Sequence, residues 1–203
     1  MKPECESKCK LLRVAMRLIS ESSYGSVSVE DICTAAGVKK GSFYYFFPSK
    51  SDLTVAAMEA DWQDKQPGYD RIFSSQTSPL ERIACYCESS LQCHITEQSN
   101  SGKVLGCPMI TLGAELSTRD EKIRLKTVEI MNRYIRYFES AVRDAMALGE
   151  IEATDPAALA RDLFAYFQGC MLAAKVSNDV APLRGIREGM TRLVTGQAKL
   201  QPV

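Results

Sequence analysis

The chain has no run of about 18 apolar residues, so it lacks a segment able to cross a bilayer. Met1 to Lys10 is polar and charged where a secretory leader would carry an apolar centre, and the expected compartment is the cytoplasm. Alternating apolar and polar residues closed by hairpin turns are missing too, as are internal repeats and low-complexity tracts. His94 is the only histidine, and on a helix its neighbour Cys93 projects in another direction. No nucleophile with a base, and no convergent acid–base set, can be assembled, so no catalytic residue is expected and the chain reads as a non-enzyme. Net charge is absent as well: 25 Lys and Arg balance 25 Asp and Glu. That excludes a chain coated in nucleic-acid-binding charge but leaves room for a local footprint. Residues 1–53 hold eight basic and six acidic residues, a net +2 that the remainder cancels.

Cysteine, in contrast, is plentiful: Cys5, Cys9, Cys33, Cys85, Cys87, Cys93, Cys107 and Cys170. With 203 residues, 45% of them hydrophobic, the chain buries a core large enough to need no disulfide framework. Metal-ligand spacing is poor, since Cys85 and Cys87 lie two apart on a helical pattern and face different ways. No metal and no cofactor is expected; the thiols read as reduced, small, buried hydrophobes.

Helical periodicity recurs along the whole chain, and the expected fold is all-α. The spacing predicts a first helix over about 6–22, with Leu12, Ala15, Met16 and Ile19 inward and Lys10, Arg13 and Arg17 on another face. Ser28, with Asp31 three residues on, predicts a capping box opening a second, short helix. Gly37 supplies the turn to a third over about 40–46, which Pro48 stops. Ser49 and Asp52 repeat the capping spacing for a fourth, expected to break at Pro67 and Gly68. Further helices are predicted over about 78–97, with 98–103 as a loop, then 107–116, 119–148, 156–176 and 182–198. The 119–148 helix should bury Val128, Met131, Ile135, Phe138, Val142 and Ala145 and stop at Gly149. The 156–176 helix is apolar nearly all round and should be buried on several sides, and the last should bury Leu183, Ile186, Met190 and Leu193.

Two short helices joined by a glycine turn make a helix-turn-helix pattern, and the second of them is dressed for DNA. Lys39 and Lys40 reach phosphates or guanine edges, Gly41 allows close approach to the duplex, and Ser42 hydrogen-bonds to base or phosphate. Tyr44 and Tyr45 add phenolic donors, and Ser28 lies at the flank. Lys50, at the start of the fourth helix, combines its charge with unpaired backbone N–H groups as a phosphate clamp. Phe43, Phe46 and Phe47 read as the small domain's core.

The ungapped stretch Gly37, Val38, Lys39, Lys40, Gly41, Ser42, Phe43, Tyr44, Tyr45, Phe46, Phe47, Pro48, Ser49, Lys50, Ser51, Asp52, Leu53 resembles the recognition region of the tetracycline-repressor family. Val29, Asp31, Ile32 and Ala35 fit that family's preceding helix. The resemblance implies a three-helix DNA-binding domain, here 1–48, followed by a larger helical ligand-binding and dimerisation domain, 49–203. It further implies a homodimer through the last two helices, binding double-stranded, palindromic operator DNA and released by a small-molecule inducer. Lys39 stands where the family often has Ser or Thr, leaving that helix without a side-chain cap. Tyr45 replaces a usual histidine.

The bulky residues Tyr134, Phe138, Phe164, Phe167 and Met171 on the central helices are candidates for the inducer site, beside the competing reading that they are core. Cys107, after Gly106 and before a helix, is the candidate for a cysteine-based electrophile or redox trigger, beside the reading that it is a small buried hydrophobe. Two other classes compete. A thiol redox enzyme would need a convergent nucleophile set that is missing, and a helical interaction module would not need a lysine- and tyrosine-bearing recognition helix.

Overall fold

The structure, a computed structural model, describes residues 3–196, with side chains from residue 6 onward. Among these residues every regular element is a helix: α1 Pro3–Glu21, α2 Val29–Ala36, α3 Lys40–Phe46, α4 Lys50–Ile72, α5 Pro79–Ser101, α6 Pro108–Leu116, α7 Glu121–Ala147, α8 Pro156–Ser177, α9 Ala181–Arg184 and α10 Ile186–Val194. The all-α expectation holds, with a helix-turn-helix at the N-terminal end and the larger helical part after it. None of the described helices is long and apolar enough to cross a membrane.

Several boundaries follow from local chemistry as expected. Asp155 Oδ1 accepts the N–H groups of Ala157 (2.9 Å) and Ala158 (3.2 Å) to open α8. Gly149, at φ 72°, ends α7 by the route glycine alone takes without strain. Elsewhere packing overrides the local signal. α4 runs through Pro67 to Ile72 instead of breaking there, although an interior proline costs about 3 kcal/mol. The compensation lies in the turns beyond it, where the rings of Tyr69 and Phe73 pack on Tyr86 at 5.8 and 5.7 Å. The polar stretch expected as a loop from 98 is helical to Ser101, and α5 ends at Gly102, φ 69°. Gln98 Nε2 donates to Asn178 O (2.8 Å), which anchors that last turn.

Three helix faces differ from expectation. In α1 Leu11, not Leu12, is the fully buried partner of Ala15, Met16 and Ile19. In α7 Val128 is 43% exposed, and the buried stripe is Ile123, Thr127, Ile130, Tyr134, Phe138, Ala141, Val142 and Ala145. A 3.6-residue period drifts across 27 residues, so a stripe drawn from one end loses phase at the other. α8 is not buried all round: Ala165, Gly169, Leu172, Ala173 and Val176 form an apolar outer face, Val176 being 80% exposed. The last expected helix is two, separated at Gly185, with Val194 rather than Leu193 buried; its expected end at 198 lies outside the described residues.

The chain gathers into two packing units. One holds residues 1–66 and 108–130, so α6 and the start of α7 belong with the first three helices. Its core is Leu11, Ala15, Ile32, Phe43, Leu53, Met58, Leu112 and Ile123. The other holds residues 67–107 and 131–203 and has an aromatic interior centred on Tyr86. Tyr86 meets Phe138 at 5.2 Å, edge to face, and Phe167 at 4.9 Å. In that unit Tyr166 lies against Gly189, where a Cβ would fall 1.8 Å from the phenolic oxygen, so a side chain there would displace the Tyr166 ring between α8 and α10.

Burial raises the phenols of Tyr86 and Tyr134 well above their ordinary value of 10.0 and pushes the Cys87 thiol from 9.0 up to about 12. These groups stay protonated in the folded chain at pH values where the unfolded chain has released its protons. The unfolded state then binds fewer protons, so stability falls with rising pH. Stability should be fully present below about pH 9, decline first through Cys87, and drop more steeply above about pH 10. Urea titrations across that range check this, and a flat profile would contradict the buried phenols.

Candidate nucleic-acid interface

The segment between α1 and α4 is built by short-range polar bonds. Ser28 Oγ accepts the N–H of Asp31 (3.1 Å), while the Asp31 carboxylate accepts from the Ser28 N–H (2.8 Å) and hydroxyl (2.6 Å). The predicted capping box is therefore complete, and both bonds fix where α2 begins. Gly37, at φ 64°, turns the chain, and the Val38 N–H returns to Cys33 O (3.0 Å). α3 then starts at Lys39, whose side chain makes no capping bond, as its composition implied.

α3 has two faces. Phe43 is wholly buried and sits against Phe47 (6.1 Å), which fixes the helix to its small core. Lys39, Lys40, Gly41, Tyr44 and Tyr45 are exposed, and Ser42 is half-buried. Tyr44 and Tyr45 are 52% and 73% exposed, an aromatic surface that folding leaves uncovered. A Cβ at Gly41 would meet nothing within 4 Å, so no intramolecular contact requires glycine in this helix. Ser28, the N-cap of α2, is exposed as well.

Lys50 is used otherwise than its sequence position suggested. Its ammonium points inward, donating to Tyr24 O and Val27 O at 2.8 Å each and lying 3.8 Å from the Tyr24 ring centroid. Burial lowers its pKa and the Glu115 charge opposes that shift. Two of the three N–H donors of this ammonium go to backbone carbonyls of the turn, so in this DNA-free chain it holds the turn. Sequence reasoning missed Glu115 in α6 altogether: its carboxylate accepts the N–H groups of Tyr24 (3.0 Å) and Gly25 (2.8 Å). A separation of about 90 residues leaves no local pattern by which to find it.

The candidate inducer residues all fall in the second unit and all but Cys107 are buried there. Tyr134 stacks on Phe164 (6.1 Å, 26° between planes), and its hydroxyl lies 3.1 Å from that of Tyr69. Phe138 and Phe167 flank Tyr86, and Met171 Sδ is 3.7 Å from Ser90 Oγ. Cys107 is half-buried, and its thiol is within electrostatic reach of the Tyr86 and Tyr134 phenols. Gly106 before it has φ 66°, with Lys175 Cβ 3.2 Å from where a side chain would begin. Tyr86 is the member that sequence reading left out, although the buried spacing of Ile83, Tyr86, Cys87 and His94 on α5 carries it. Gln168 Oε1, on α8, is buried without a hydrogen-bond partner.

Comparison with known proteins bears on the family. Residues 11–57 match the family model described as bacterial regulatory proteins, tetR family, and residues 79–190 match that described as tetracyclin repressor-like, C-terminal domain. The chain is 29% identical to the transcriptional regulator AcuR of Cereibacter sphaeroides over 85% of its length and 78% of the relative's. It is 24% identical to the transcriptional repressor NemR of Escherichia coli K12, with 89% of each chain covered. Among solved structures, the regulatory protein TetR from Rhodobacter sphaeroides superposes with a TM-score of 0.81 at 28% identity, over 91% of this chain and 97% of that one.

The capping chemistry around α2 and α3 has a measurable consequence. Ser28→Ala should cost about 1 kcal/mol, and Lys39→Ser, which supplies a missing acceptor, should gain roughly half of that. Urea unfolding of both variants checks this pair, and equal midpoints for the two would contradict the caps as described.

Proposed function

Starting from the fact that the chain belongs to the tetracycline-repressor family of bacterial transcriptional regulators, we propose that it is a repressor that binds a palindromic operator as a homodimer and leaves it when a small-molecule inducer binds. The observation carrying this reading is the uncovered face of α3. Two exposed lysines, two exposed tyrosines and a glycine that no internal contact requires are left open to solvent on a seven-residue helix anchored by the buried Phe43. Glycine inside a helix costs about 1 kcal/mol relative to alanine, a cost that close approach to a duplex repays. Residues 1–48 are the part assigned to DNA reading. Lys39 and Tyr44 are assigned to phosphates, Lys40, Gly41, Ser42 and Tyr45 to the major groove, and Ser28 to the flank. Lys50 is assigned to holding the turn that presents them.

The dimer is assigned to α8 and the α9–α10 segment. Small residues along the outer face of α8 allow a second copy to approach closely, and Leu172 and Val176 are apolar area that water would otherwise cover. The inducer site is assigned to the aromatic interior of the second unit, where Tyr134, Phe138, Phe164, Phe167 and Met171 meet. Release requires that the inducer bind the DNA-free conformation more tightly than the DNA-bound one. A cysteine-based trigger at Cys107 is the second reading, favoured by its half-buried place beside two buried phenols. The crystal structure of Escherichia coli NemR, a fold neighbour, is described as its reduced form.

Selection from random duplex DNA by the full chain tests the main reading. It should enrich an inverted repeat whose halves face one side of the duplex. Lys40→Ala should weaken that duplex and reduce the salt slope by about one unit, whereas Lys50→Met should weaken it with the slope kept. Enrichment of no sequence would overturn the regulator reading. For the second reading, a maleimide should release wild type and not Cys107→Ser; release in both would remove Cys107 as the trigger.

Leu172→Glu together with Val176→Glu should convert the chain to monomer at micromolar concentration and lose the inverted repeat with it. Sedimentation velocity checks this, and an intact dimer would move the interface elsewhere.

A further inference from the structure

The turn between α1 and α2 is gripped from two sides within the first unit. Its N–H groups at Tyr24 and Gly25 are accepted by Glu115, one residue from the end of α6. Its carbonyls at Tyr24 and Val27 accept from Lys50, the first residue of α4. Opposite charges therefore close on one short stretch of backbone that leads directly into the Ser28 capping box and α2. Tyr24 supplies groups to both partners, its N–H to Glu115 and its C=O and ring to Lys50.

The position of α6 is itself set by a close contact. A Cβ at Gly113 would lie 2.6 Å from Thr127 Cγ2 and 3.3 Å from its Oγ1, so α6 rests on α7 with no room for a methyl group. Thr127 is buried and cannot swing aside, because its hydroxyl donates to Ile123 O at 2.9 Å. Upstream, α6 begins at Pro108, where the chain passes from the second unit into the first.

We propose that Glu115 and Lys50 form a two-ended clamp on the α1–α2 turn, through which the seat of α6 on α7 sets the pose of the DNA-reading helices. Glu115 is a positioning residue: it touches no nucleic acid and acts through the turn. A shift of α6 draws the carboxylate from its two N–H groups, frees the turn on one side, and lets α2 and α3 leave the orientation that a duplex requires. This rests on the regulator reading for what α3 does, and on hydrogen-bond geometry alone for what holds the turn.

Three variants of the full chain test it by amide exchange at Tyr24 and Gly25, followed by mass spectrometry, and by affinity for the duplex that wild type selects. Gly113→Ala, which displaces α6 without touching the clamp, should raise exchange at both amides and weaken the duplex, each on the order of tenfold. Adding Thr127→Ser, which removes the obstructing methyl and keeps the hydroxyl, should restore both. Glu115→Ala should produce the same two losses with the salt slope unchanged, and Thr127→Ser should not rescue it. Exchange at the two amides unchanged in both Gly113→Ala and Glu115→Ala would overturn the clamp. Raised exchange with undiminished duplex affinity would overturn its link to DNA reading. Selection of no duplex by wild type would overturn the regulator reading, while the exchange measurement would still decide the clamp.

Discussion

A backbone turn that is partly buried must find partners for its N–H and C=O groups, and here the partners are a carboxylate and an ammonium from two different helices. Much of the first unit follows from meeting that requirement. Lys50 can be half-buried because two carbonyls and an aromatic face replace its hydration. Glu115 can sit at the end of a nine-residue helix and still determine the geometry of a segment 90 residues away. Charge-assisted bonds of this kind are roughly twice as strong as neutral ones.

Around that turn the remaining polar bonds work in the same direction. Lys122 of α7 reaches Asp52 of α4 (2.7 Å), and the Asp52 carboxylate also accepts the Ser49 hydroxyl (2.7 Å). Lys126 spans from α7 to Glu59 of α4 (3.2 Å). These pairs are partly exposed and individually worth little. Together they tie α4 and α7, so Lys50 at one end of the clamp is fixed in register with the Thr127 seat at the other. The second unit is held differently. Among its described residues the buried cation Arg82 is satisfied by Thr77 O (2.8 Å) and Asp144 (2.5 Å), and aromatic edges and faces fill much of the interior. An interior of that kind is directional enough to hold its shape.

What could be read from the sequence was what local spacing encodes. The Ser28–Asp31 box, the Gly37 turn, α3 at 40–46 and the Asp155 cap all depend on residues within a few positions of one another, and all stand as read. The exposed α3 face was legible for the same reason, since a helix only seven residues long leaves little room for phase error. Where tertiary contacts decide, the reading failed. Pro67 does not break α4 because aromatic packing beyond it outweighs one lost bond, and Val128 is exposed because phase drifts along α7. Lys50 looked like a phosphate ligand because it stands at a helix N-terminus, where its charge adds to unpaired backbone N–H groups. Its partners in space are carbonyls about 25 residues earlier, which no periodicity reveals. Tyr86 escaped because α5 is mixed in polarity, and only the folded chain shows that four rings converge on it.

Fluorine NMR of the chain carrying 3-fluorotyrosine, with the Tyr24 signal assigned through Tyr24→Phe, most directly tests whether α6 governs the turn, since that ring lies on the Lys50 ammonium. In wild type the signal should be single and shifted from the solvent-exposed value, and added duplex should leave it in place. In Gly113→Ala it should move toward the exposed value, and Thr127→Ser should bring it back. A Tyr24 signal identical in wild type and a folded Gly113→Ala would contradict control of the turn by α6.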